Sequence, residues 1–253
     1  MCSVVLLFRP GEPWPVLIAA NRDEMLARAW KPPAAHWPDR PGVVAGLDEL
    51  AGGSWLGVNR EGVVAGILNR RHSLGPAQGV RSRGELVLEA LDHGDAREAA
   101  AALAAIDGRS YRSFNLVIAD NTGAYWLRNC GAEATGRVEC FPLPPGYSMI
   151  TAYDRNDRNS DRIRDYLPRF EAAAIPDPET GNWHAWQMLL ASRGKDGRED
   201  GVESAMCVVT DYGFGTSSSS LLALPARERL DGKPIWLFAS GRPGEAPYRP
   251  VAL

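Results

Sequence analysis

A cysteine stands second in the chain, directly ahead of the apolar run Ser3–Phe8. A side chain this small permits removal of Met1, which would put a thiol and a free α-amine on one residue. That amine has a reference pKa of about 7.7–8.0 and can act as a base near neutral pH. The thiol, at about 8.5, needs only a modest push to become the nucleophile. An N-terminal amine that activates its own side chain is a known route to covalent catalysis. Position alone weighs this reading equally against a small buried residue opening a strand. Asn21-Arg22-Asp23-Glu24 follows the apolar run Val16–Ala20. If the two runs pair as a hairpin, these polar groups come close to Cys2. There the Asp23 carboxylate could hold the α-ammonium and Arg22 could lower the thiol pKa, although a solvated turn at the strand end is the plainer reading. Asn69 ends the pattern Asn59-x-x-Gly62-Val63-x-x-Gly66-x-x-Asn69, and an amide at a strand end can serve as an oxyanion donor.

Other reactive side chains carry less. His36, His72, His93 and His184 show no metal-type spacing and read as surface or loop residues. Cys130 and Cys140 are spaced so that a bridge is open, with buried free thiols the simpler reading. Ser217–Ser220 lacks the Gly-x-Ser-x-Gly pattern and reads as a strand facing the nucleophile. Trp183 and Trp186, three apart, read as helix core.

The elements that must position these groups follow from pattern. Ser3–Phe8 with Val16–Ala20, and Trp55–Val58 with Val63–Leu68, read as hairpins. Lys31–Asp39 is proline-rich and reads as an irregular surface loop. Helices are expected over Gly84–Leu91 behind a capping Ser82, Asp95–Ile106 with Asp95 as N-cap, Ser160–Phe170 and Trp183–Ala191. Strands are expected at Phe114–Ala119, Ala124–Arg128, Cys207–Thr210, Ser217–Leu224 and Ile235–Ser240, and a flexible loop at Ser192–Glu203. Hairpin connections dominate, so the sheets should be antiparallel. The expectation is an α+β chain forming one domain over residues 1–253, with two sheets face to face and the helix pairs outside.

Composition agrees with a folded chain, since 45% hydrophobic against 23% charged residues is ordinary globular usage. A net charge of −3, without a clustered Lys/Arg face, argues against a nucleic-acid partner. No stretch reads as a secretory signal or a membrane span, and the cysteine pattern suits a reducing cytoplasm.

Several blocks in series carry a resemblance. They are Cys2, Asn21-Arg22-Asp23-Glu24, Gly53-Ser54-Trp55-Leu56-Gly57-Val58-Asn59, Asn69-Arg70-Arg71, Ser82-Arg83-Gly84, Phe114-Asn115-Leu116-Val117 and Gly215-Thr216-Ser217-Ser218-Ser219. In this order they resemble the NRDE family, that of the transport-and-Golgi-organisation protein 2. Cys2, Asp23 and the Asn59-to-Asn69 hairpin are also similar to the cysteine amidases that include bile-salt hydrolases and penicillin V acylases. Those are N-terminal-nucleophile hydrolases with a four-layer α/β/β/α sandwich.

The resemblance implies Cys2 as nucleophile, Asp23 orienting the amine and Asn69 in the oxyanion hole. Ala20 stands where the amidases carry an arginine, so Arg22 would have to take its place. Leu221 replaces a second arginine, and no asparagine lies in Ile150–Tyr153. The implied activity is hydrolysis of a small non-peptide C–N amide with no external cofactor. The alternative implied by the family is a non-catalytic carrier of haem or lipid in the same cleft. Both readings turn on the Met1–Cys2 bond. N-terminal sequencing of the protein from its own host should begin Cys-Ser-Val; a uniform Met-Cys-Ser start would remove the amine that the catalytic scheme needs.

Overall fold

The computed structural model describes residues 2–75, 78–131, 136–193, 204–228 and 232–253. The chain opens with β1 (Ser3–Phe8) and β2 (Val16–Met25), followed by β3 (Trp30–Ala34), β4 (Val43–Asp48), β5 (Leu56–Asn59) and β6 (Val64–Asn69). Helices α1 (Gly84–Leu91) and α2 (Ala96–Ala104) come next, then β7 (Phe114–Ala119), β8 (Ala124–Asn129), β9 (Glu139–Pro142) and β10 (Gly146–Ile150). Helices α3 (Asp161–Ala172) and α4 (His184–Leu190) precede β11 (Phe214–Leu224), β12 (Ile235–Ala239) and β13 (Tyr248–Pro250). The chain falls into two compact units, one made of Met1–Arg28 with Gly146–Val251 and one of Ala29–Pro145 with Ala252–Leu253.

The first unit holds a six-stranded sheet in the order β10-β1-β2-β11-β12-β13, every pair antiparallel. Val5 and Leu7 of β1, Leu17 and Ala19 of β2, and Leu221 and Ala223 of β11 alternate onto one face. There they pack with Ile163, Tyr166, Leu167 and Phe170 of α3 and with Trp186 and Leu190 of α4. Each large side chain so buried contributes about 1.5–3 kcal/mol. Trp183 and Trp186 are core, as expected, with their rings edge to face 6.5 Å apart. Helix α3 begins at Ser160, whose Oγ accepts from the Ile163 amide, and it runs on through Pro168 to Ala172.

The second unit holds the sheet β3-β4-β5-β6-β7-β8-β9, again antiparallel throughout. Asp95 caps α2 by accepting from the Glu98 amide at 2.8 Å. The stripe Ala96, Ala99, Ala100 and Leu103 then lies on one face of α2 and packs with Leu116, Ile118 and Leu127 of the sheet. Among the described residues the structure is thus α+β, with two antiparallel sheets and four α-helices, the class the pattern implied.

Some boundaries differ from the sequence reading. Residues 30–34 of the proline-rich stretch form a strand, because Pro32 and Pro33 sit on the sheet's edge where a missing N–H is tolerated. Ser82 is not the N-cap of α1; Arg83 holds that position without a side-chain cap bond. Cys207–Thr210 forms no strand, only the isolated bridge Val209–Gly215. Of the loop expected at Ser192–Glu203, residues 194–203 lie outside the described residues. No helix among the described residues is long and apolar enough to cross a membrane.

The Gly53–Gly84 crossing explains one of the sequence blocks. The Ser54 amide bonds the Gly84 carbonyl at 2.9 Å, and a Cβ on Gly53 would stand 2.4 Å from the Gly84 carbonyl carbon. Gly53→Ala should therefore push α1 off the sheet and lower stability by about 1–3 kcal/mol in urea unfolding. A loss below a few tenths would mean the crossing is loose.

Candidate active site

The stretch Asn21-Arg22-Asp23 lies inside β2 rather than at its end, in a strand flanked by β1 and β11. All three side chains are buried. Buried polar groups left without partners are expensive, so neighbouring strands must answer each one. Strand β11 does so with hydroxyls. Ser219 Oγ donates to Asn21 Oδ1 at 2.6 Å, and Thr216 Oγ1 donates to Asp23 Oδ1 at 2.6 Å. Arg22 Nη1 donates to Ser217 Oγ at 2.9 Å, which in turn donates to the Arg22 carbonyl at 3.1 Å.

A bulge makes this matching work. Thr216 pairs with Asp23 and Ser218 with Arg22, so Ser217 is the extra residue of β11 at a register shift. The Asn21 amide donates to the carbonyls of Leu190 and Met206, both at 2.9 Å.

Arg162, on the first turn of α3, completes the arrangement. Its Nη1 donates to Asp23 Oδ2 at 3.0 Å and to Ser3 Oγ at 2.6 Å. Arg162 is 1% exposed and Asp23 2%, which makes this a fully buried ion pair. The sequence reading gave the role of the missing amidase arginine to Arg22. The structure puts Arg162 on the Asp23 carboxylate and turns Nη1 of Arg22 to Ser217, because neighbouring residues of a strand point to opposite faces. One signal could have found Arg162: it shares the spacing of Tyr166 and Phe170 and so falls on the buried stripe of an amphipathic helix.

Cys2 is half-buried, and its Sγ donates to the Asp23 carbonyl at 3.7 Å. Burial pushes its thiol above the ordinary value, and the nearby Asp23 adds to that push. The chain's amino terminus, the hydrogen bond to Asp23 and the charge of Arg22 pull the other way and do not win. Arg22 acts on the thiol in the expected direction, lowering it, but with less weight than desolvation. Cys140 and Cys207 are also raised by burial.

Cys2, Arg22 and Asp23 are thus together in the first unit. Asn69 belongs to the second, half-buried at the end of β6 and paired with Phe114. An asparagine does follow β10: Asn156 accepts from the Met149 amide at 2.7 Å and donates to the Tyr147 carbonyl at 3.1 Å, which ties it to the turn. Among the described residues, no group of three or more His, Cys, Asp or Glu could hold a metal ion.

Two antiparallel sheets with helices packed on them are the layers of the N-terminal-nucleophile hydrolase fold. Solved structures bear this out at the level of fold. The chain is similar to the N-acylethanolamine-hydrolyzing acid amidase ortholog of Caenorhabditis elegans, at 10% identity and a TM-score of 0.56, covering 87% of this chain and 92% of that one. It is likewise similar to a mutant conjugated bile acid hydrolase from Clostridium perfringens, at 11% identity and a TM-score of 0.52, covering 100% and 97%.

Sequence narrows the class. The family described as Transport and Golgi organisation 2 matches residues 1–161, and the chain belongs to that family. The Homo sapiens Transport and Golgi organization protein 2 homolog is 30% identical over 160 residues, 60% of this chain and 57% of the human one. The chain therefore spans a little over half the length of that relative.

Removing one partner of a buried ion pair strands the other charge. Arg162→Ala should cost about 3–5 kcal/mol in urea unfolding, and Arg162→Lys clearly less. A loss under 1 kcal/mol would show that solvent reaches Asp23.

Proposed function

We propose that the protein is an N-terminal cysteine hydrolase of a small non-peptide C–N amide, acting once Met1 has been removed. The observation that supports this most is the placement of Cys2. Its thiol lies against Asp23, whose carboxylate is held by Arg162 and Thr216. Two solved proteins sharing the fold are named for hydrolysing N-acylethanolamines and conjugated bile acids, which favours an acyl-amide as the substrate class.

In this scheme the Cys2 α-amine takes the thiol proton and Sγ bonds to the amide carbon. The resulting ammonium passes the proton to the leaving nitrogen as the C–N bond breaks, giving a thioester and a free amine. Water then cleaves the thioester, releasing the acid and restoring the thiol. Asp23 orients the amine and Arg22 favours the thiolate by its charge. The oxyanion donor is Asn69, an assignment that rests on the resemblance to the amidases. No external cofactor enters the scheme. The cytoplasm suits four free cysteines.

The test uses protein whose Cys2 start is verified by intact mass, with a panel of acyl-amides and amine release as readout. Cys2→Ser should keep the fold and greatly lower release. Asn69→Ala should raise the barrier by about 3–4 kcal/mol with little change in substrate binding. Absence of any Cys2-dependent release, together with a saturable Soret shift on hemin titration, would replace the hydrolase with the haem carrier. Saturable binding of a fatty-acyl probe in place of hemin would replace it with a lipid carrier.

A further inference from the structure

One guanidinium nitrogen of Arg162 bonds both neighbours of the candidate nucleophile. Ser3 follows Cys2 in the chain, and Asp23 supplies the carbonyl that takes the Cys2 thiol. Ser3 also pairs with Asn21, so the two bonds bridge adjacent strands where Cys2 emerges. The contact is direct at both ends and fully buried, so solvent does little to weaken it. Arg162 lies just beyond residues 1–161, the stretch matched by the family.

We propose that Arg162 is a positioning residue for Cys2, fixing Ser3 and Asp23 around it and opposing the negative charge that Asp23 presents to the thiol. The inference deepens the proposed role of Cys2 and rests on it. From β2, Asp23 disfavours the thiolate and Arg22 favours it; the chain's amino terminus also favours it. Cys207, itself buried, lies near Asp23, and Arg193, paired with Glu245, acts on Cys207. Arg162 holds the Asp23 carboxylate from α3, so its loss removes a positive charge from a buried carboxylate next to Cys2.

The test reads the thiol directly and needs no substrate. Iodoacetamide labelling of the folded full chain is followed against pH, with peptide mass mapping to separate Cys2 from Cys130, Cys140 and Cys207. Alkylation follows the thiolate. Arg162→Gln should raise the Cys2 midpoint by about one pH unit, which is about tenfold slower labelling at pH 7. Asp23→Asn should lower the midpoint, the double variant should return it near the wild type, and Arg162→Lys should leave it there. If Arg162→Gln does not fold, Asp23→Asn and the double variant decide.

Unmoved midpoints in folded variants, with native near-UV circular dichroism, would make Arg162 purely structural. The two readings fail separately. Shifted midpoints without any amide turnover would keep the positioning role and sink the hydrolase. Cys2-dependent turnover with unmoved midpoints would do the reverse.

Discussion

A strand with neighbours on both sides normally carries apolar residues, yet β2 takes an amide, a guanidinium and a carboxylate into the sheet at Asn21, Arg22 and Asp23. Each must find a partner there, and much of the first unit's local design meets that need. Strand β11 answers with Ser219, Ser217 and Thr216, one hydroxyl to each residue. The bulge at Ser217 lets two of those hydroxyls face one side of the sheet and the third the other. Helix α3 answers with Arg162 and is anchored by the Ser160 cap. A slip of β11 by one residue would break its three hydroxyl bonds together, so the polar stretch fixes register as well as the hydrophobic pattern does.

The stability of the unit comes from elsewhere. A buried ion pair typically does no better than a well-packed apolar pair of the same size, because both charges lose their hydration. Burial of Leu17, Ile163, Phe170 and Trp186 drives α3 and α4 onto the sheet. The Arg162–Asp23 pair then selects one docking among those the apolar contacts allow. Specificity of arrangement is what the pair adds.

Elements set by local pattern were legible in the sequence. The Asp95 cap with its alanine stripe, the Ser160 cap with Ile163, Tyr166 and Phe170, and the hairpin of Ser3–Phe8 with Val16 onward all announce themselves within one window. Strands set by partners did not. The prolines of Trp30–Ala34 are acceptable only because the strand is an edge, and Tyr248–Pro250 is a strand only because β12 lies beside it. The site divided in the same way. Cys2, Arg22 and Asp23 could be grouped from one hairpin, whereas Arg162 comes from far along the chain. Its charge made a solvated helix face the natural reading, and only its place on the apolar stripe argued otherwise. The serine-rich strand was recognisable as a block, but its pairing with Asn21, Arg22 and Asp23 needed the bulge to be seen.

Burial raises the Cys2 thiol more than Arg22 lowers it, so the uncut chain does not hold a ready thiolate. A nucleophile in that state depends on a base that takes its proton during attack, since a resting thiolate would be scarce near neutral pH. Asp23 is poorly suited to that task, because both of its oxygens are bonded, one to Thr216 and one to Arg162. A free α-amine on Cys2 would sit on the same residue as the thiol and titrate in the right range. The Met1–Cys2 bond is therefore the switch of the proposed chemistry. While that bond is intact, the nitrogen is an amide without a basic lone pair and cannot take the thiol proton.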